Sequence, residues 1–93
     1  MINKKIINIR KKLDKLDNKM LLIIKKRNNL VDKVLSNKTK KSQIVDKKRI
    51  KIILQNIRKK SLKKKIDPQI TNTIWKSMIK AFVNYEYKNF KKK

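Results

Sequence analysis

Apolar residues recur at Ile6, Ile9, Leu13, Leu16, Met20, Ile23, Leu30 and Val34, in alternating steps of three and four. A seam kept up over that length, with no Gly or Pro to break it, predicts one helix from about residue 4 to 38. Such a helix is about 50 Å long. A chain of 93 residues cannot cover it alone, whereas two copies lying side by side can.

One seam position is not apolar: Arg27, between Ile23 and Leu30. A cation on a buried stripe needs a partner, because an unpaired buried charge is expensive. A structural ion pair with Asp14, Asp17 or Asp32 is one reading, but none of them stands three or four residues from Arg27, where a helix would bring them together. Lys38 follows eleven residues later, close to three turns, and so projects from the same face. Two cations with no local acid suggest an anion from outside. Arg10 precedes Arg27 by seventeen residues, about 25 Å along the axis. One chain cannot easily bring both to one small ligand, but an antiparallel partner helix would carry its own Arg10 back toward this Arg27.

Arginine is scarce here. Only Arg10, Arg27, Arg49 and Arg58 interrupt a lysine-rich chain of net charge +24, and lysine lacks the planar fork that grips a carboxylate through two parallel bonds. A charge of that size also raises a nucleic-acid reading. Against it, Lys, Ile and Asn make up 51 of the 93 residues and Gly is absent, which looks more like compositional drift than a selected patch. The lysines are spread along the whole chain. Such a field still attracts any anionic ligand, a small dicarboxylate included. The absence of Cys and His argues against disulfides, thiolate chemistry, the usual hydrolytic triad and a transition-metal site. The longest aliphatic run is Leu21 to Ile24, far too short for a membrane span, so the expected compartment is the cytoplasm.

Beyond Lys38, "TKKSQ" reads as a loop, and Asp46 opens a second helix with Ile50, Ile53 and Ile57 at helical spacing. "KKSLKKK" reads as a weakly structured connector. "IDPQI" restarts the chain, with Asp67 as N-cap and Pro68 in the first turn. A third helix then runs to about residue 90 on Ile70, Ile74, Trp75, Met78, Ile79, Phe82 and Val83. Its inward face ends at Glu86, the sole glutamate, for which pairing with one of the many lysines is the simpler reading.

This order of elements resembles the all-helical, AroQ-type chorismate mutase family over essentially the whole chain. The opening pattern appears as "IRKKLDKLDNKMLLIIKKRNNLVDKV", with Arg10 and Arg27 at the positions of the arginines that bind the substrate carboxylates. Lys38 matches the lysine that contacts the ether oxygen, "VDKKR" supplies Asp46 and Arg49, and Glu86 stands where the family has Gln or, in some members, Glu. Arg58 matches no position. Two residues depart from the pattern. Ile50 replaces the glutamate that usually meets the ring hydroxyl, and Phe82 stands where some members have serine. The related isochorismate-pyruvate lyases also carry an aliphatic residue at the Ile50 position, and their spacing resembles that from Lys38 to Arg49, but they usually retain glutamine at the Glu86 position.

The resemblance implies an all-α fold, three helices per chain with a very long first helix, intertwined as a homodimer, and residues 1–93 as one domain. It implies chorismate mutase activity within phenylalanine and tyrosine synthesis, without a cofactor. Arg27 and the partner's Arg10 would hold the carboxylates, Lys38 and Glu86 the ether oxygen, and Arg49 with Asp46 the hydroxyl end. A lyase or a catalytically decayed relative of the same fold is the alternative. From another class, a basic helical nucleic-acid-binding protein would show salt-steep binding and no turnover of chorismate.

Overall fold

The first helix begins at a capping residue. In the computed structural model, which describes residues 3–91, the Asn3 side chain accepts a hydrogen bond from the Ile6 amide at 2.9 Å, as an N-cap does. Helix α1 then runs Lys4–Ser36, a single 3₁₀ turn occupies Lys41–Gln43, and α2 (Lys47–Lys63) and α3 (Pro68–Asn89) follow. The described residues contain no strand. Three helices with a very long first one are what the seam and the restart signals predict.

The end of α1 falls two residues earlier than its periodicity suggests. Ser36 Oγ and Asn37 Nδ2 both donate to the Lys33 carbonyl at 2.8 Å, and the Asn37 amide turns to Val34 at 3.1 Å. Local side-chain bonds of this kind compete with the helical ladder. Lys38 therefore leaves from the first residues beyond the helix rather than from its face. The Gln43 side chain then organises the loop, accepting from the backbone amides of Thr39 and Lys40 at 2.8 and 3.0 Å, while Ile44 is buried beneath it.

The chain packs as two compact units whose boundary lies between Val31 and Asp32. The first is α1 up to Val31. Its seam is uncovered: Ile9 is 56% exposed and Ile23 63%, an apolar stripe, interrupted only at Arg27, of the kind that a helix buries against something. The second unit holds the last turn of α1, the loop, α2 and α3. Its interior is built from Leu35 and Ile44, with half-buried Ile53, Leu54, Ile57, Trp75, Met78, Ile79 and Val83 from the two later helices.

The segment expected as a loose connector is mostly helix. α2 continues through Lys63, and within it Ser61, set in a lysine-rich run, is buried and donates to the Ile57 carbonyl at 2.6 Å. Its hydroxyl also lies 2.7 Å from that of Thr71, itself buried on α3. Two hydroxyls that satisfy each other can be buried cheaply. The helix closes with the Ile66 amide on Ser61 and the Lys65 amide on Leu62, a Schellman arrangement. That geometry puts Lys65 at φ 57°, a position usually given to glycine, which this chain lacks. Asp67 caps α3 through the Gln69 amide at 2.9 Å, and Pro68 sits in the first turn as expected.

Candidate active site

Lys38 and Glu86 are separated by 48 residues and meet in space. Lys38 Nζ lies 2.9 Å from Glu86 Oε1, with the two side chains 17% and 9% exposed. The short post-helical turn directs Lys38 inward, where its ammonium also donates to the Ile44 carbonyl at 3.4 Å. Glu86 arrives on the last turns of α3, four residues after Phe82, and is among the few buried polar groups of the chain. Among the described residues this is the salt bridge of the structure. Glu86 therefore does pair with a lysine, and the lysine is the one that the sequence nominates for chemistry.

Asp46 and Lys38 line one shallow depression together with Ser42, Gln43, Val45 and Lys47. One carboxylate oxygen of Asp46 is engaged as the cap of α2, accepting the Arg49 amide at 3.0 Å. The Arg49 side chain is exposed on the first turn of that helix, and Ile50 beside it is half-buried. Phe82 is half-buried on α3, its ring edge-on to Tyr85.

Within the first unit, Arg10 is exposed and Arg27 half-buried. The Arg27 Nε is buried and has no hydrogen-bond partner among the described residues. No salt bridge joins Arg27 to Asp14, Asp17 or Asp32; Asp32 instead accepts from the Tyr85 hydroxyl at 2.7 Å. An orphaned buried donor is rare enough in folded proteins to call for a reason. The Tyr85–Asp32 bond and the Ile44 carbonyl behind Lys38 have no signal in sequence spacing, since each joins elements whose relative placement spacing does not define.

The chorismate mutase type II family model matches residues 9–87, and the chain belongs to that family. Comparison with curated proteins and with solved structures finds no significant match. Membership is of an isomerase family at that level, and no helix of the described residues is long and apolar enough to cross a membrane.

Arg27→Lys keeps the charge and loses the fork. If Arg27 holds a carboxylate of the substrate, losing one charge-assisted hydrogen bond costs about 1.5–3 kcal/mol, so kcat/KM with chorismate should fall roughly 10- to 150-fold. Arg58→Lys, on an exposed side chain matching no family position, should leave it unchanged. Equal effects at the two sites in steady-state kinetics would show that arginine retention does not mark the ligand positions.

Proposed function

We propose that the protein is a chorismate mutase, acting as a homodimer, that rearranges chorismate to prephenate in aromatic amino-acid synthesis. The observation that carries this reading is the partly buried Lys38–Glu86 pair at 2.9 Å in a chain of this family. The reaction is intramolecular: one carbon–oxygen bond breaks as one carbon–carbon bond forms. Its demands on a protein are therefore conformational and electrostatic. Arg27 and the partner's Arg10 hold the two carboxylates in the compact conformer that brings the reacting carbons together. As the ether bond breaks, negative charge grows on its oxygen, and the fixed Lys38 ammonium stabilises it. Arg49 and the free oxygen of Asp46 serve the hydroxyl end, with Ile50 and Phe82 as apolar walls.

The second copy covers the α1 stripe, whose exposure in one chain has no other account in this sequence. The decisive assay is the purified protein with chorismate, following prephenate, and then with isochorismate, following pyruvate. Ile50 favours the second substrate over what a glutamate there would, and Glu86 favours the first. Turnover of neither overturns the reading.

Paired with Lys38, Glu86 is an acceptor, whereas a glutamine there offers the ether oxygen an amide donor. Glu86→Gln should therefore be at least as active with chorismate as the wild type in steady-state kinetics. A folded Glu86→Gln protein with a large loss of kcat would mean that position 86 does not serve as the donor.

A further inference from the structure

Tyr85 takes no part in the roles given so far, yet it is bonded to Asp32, meets the Phe82 ring and precedes Glu86 in the chain. Its hydroxyl donates to Asp32 Oδ1 at 2.7 Å. Its ring meets that of Phe82 edge-on, with centroids 6.5 Å apart and planes at 82°. Its chain neighbour is Glu86, which takes Lys38 at 2.9 Å.

Two links thus join the same two stretches of chain, 32–38 and 85–86, and they differ in kind. Lysine carries its charge on a flexible four-carbon stem, so Lys38 can follow Glu86 to several positions and cannot define one. Tyrosine is a rigid body on two torsions, and the edge-on Phe82 ring restricts it further. Adjacent helix residues diverge by about 100° around the axis. Tyr85 and Glu86 therefore leave α3 in different directions, and a bond fixed at Tyr85 sets the rotation of the helix at Glu86.

We propose that the Tyr85–Asp32 hydrogen bond is a positioning device that sets where Glu86 meets Lys38 and braces Phe82 beside them. Its catalytic consequence rests on the mutase reading above. Tyr85 acts through Glu86 and Phe82, and Asp32 acts through Tyr85.

The test compares Tyr85→Phe, Asp32→Leu, the double variant and Asp32→Asn with wild type, measuring kcat and KM for chorismate at a temperature where melting curves show all to be folded. Tyr85→Phe and Asp32→Leu should each lower kcat about tenfold, the scale of a sub-ångström misplacement of reacting groups, with KM little changed. The double variant should be no worse than either single one, since both remove one bond. Asp32→Asn keeps an acceptor oxygen and should restore near wild-type kcat. A folded Tyr85→Phe with unchanged kcat, or effects that multiply in the double variant, overturns the proposal. If Tyr85→Phe fails to fold, Asp32→Leu, made at an exposed residue, serves in its place.

A readout that needs no turnover separates this proposal from the mutase reading. The coupling between Lys38→Met and Glu86→Gln, measured by urea unfolding, should shrink by roughly half or more in the Tyr85→Phe background. Unchanged coupling overturns the positioning role even in an active mutase. Reduced coupling in a protein that turns over neither substrate sustains the role and rejects the activity.

Discussion

Lys38→Ala is expected to lower kcat for chorismate by about 10²–10³-fold, the usual cost of removing one donor from a developing oxyanion. The same change should destabilise the protein, because it leaves Glu86 buried without its cation; breaking a buried pair from one side costs about 3–5 kcal/mol. Loss of activity alone would thus be ambiguous. The double variant Lys38→Ala with Glu86→Gln resolves it. Removing both charges takes away the uncompensated carboxylate, so most of the lost stability should return in denaturant unfolding. Activity should not return, since the amide offers one neutral donor where the ether oxygen needs a cation as well. If activity returns together with stability, the pair is structural and Lys38 is not the cation that stabilises the ether oxygen.

The three helices were legible because their signals are local. A seam of threes and fours, an Asp before the second helix and Asp67–Pro68 before the third each act within a few residues, and the helices found at Lys4–Ser36, Lys47–Lys63 and Pro68–Asn89 follow them. The end of the first helix near Lys38 and the stretch after Lys59 are less legible in the sequence, for one shared reason. Hydroxyl and amide side chains decide both. Ser36 and Asn37 draw the Lys33 carbonyl out of the ladder, whereas Ser61 keeps its ladder and pays for burial through Thr71. Which of these a serine does depends on whether a partner hydroxyl packs opposite, and spacing carries no such information. Pairing of Lys38 with Glu86 was implied by the family resemblance. Helical periodicity alone could place Glu86 inward but could not say which of the lysines it would meet. Tyr85 carries no signal in the sequence because its acceptor, Asp32, lies 53 residues away and reads there only as a failed partner for Arg27.

The proposed sharing of the site between two copies makes the largest and least forgiving prediction. Arg10 and Arg27 lie on one helix, α1, about 25 Å apart along its axis, a span that a small dicarboxylate cannot bridge, and both are arginine in a chain whose other cations are nearly all lysine. An antiparallel dimer of α1 would cover the stripe running from Ile6 to Val34 and bring Arg10 of the partner subunit to Arg27, giving two equivalent sites related by a twofold axis. The Arg10→Ala and Arg27→Ala homodimers should each be nearly inactive, because every site in each lacks one carboxylate ligand. Unfolded together, refolded at equal concentration and assayed, they should recover about a quarter of wild-type activity: half of the dimers are mixed, and each mixed dimer has one intact site and one lacking both arginines. If both arginines served a site within one chain, mixing would create no intact site and no activity would return. Sedimentation of the wild type is the companion measurement, with stability expected to rise with protomer concentration. A folded monomer at micromolar concentration would leave the α1 stripe bare in solution and remove the partner's Arg10 from the site.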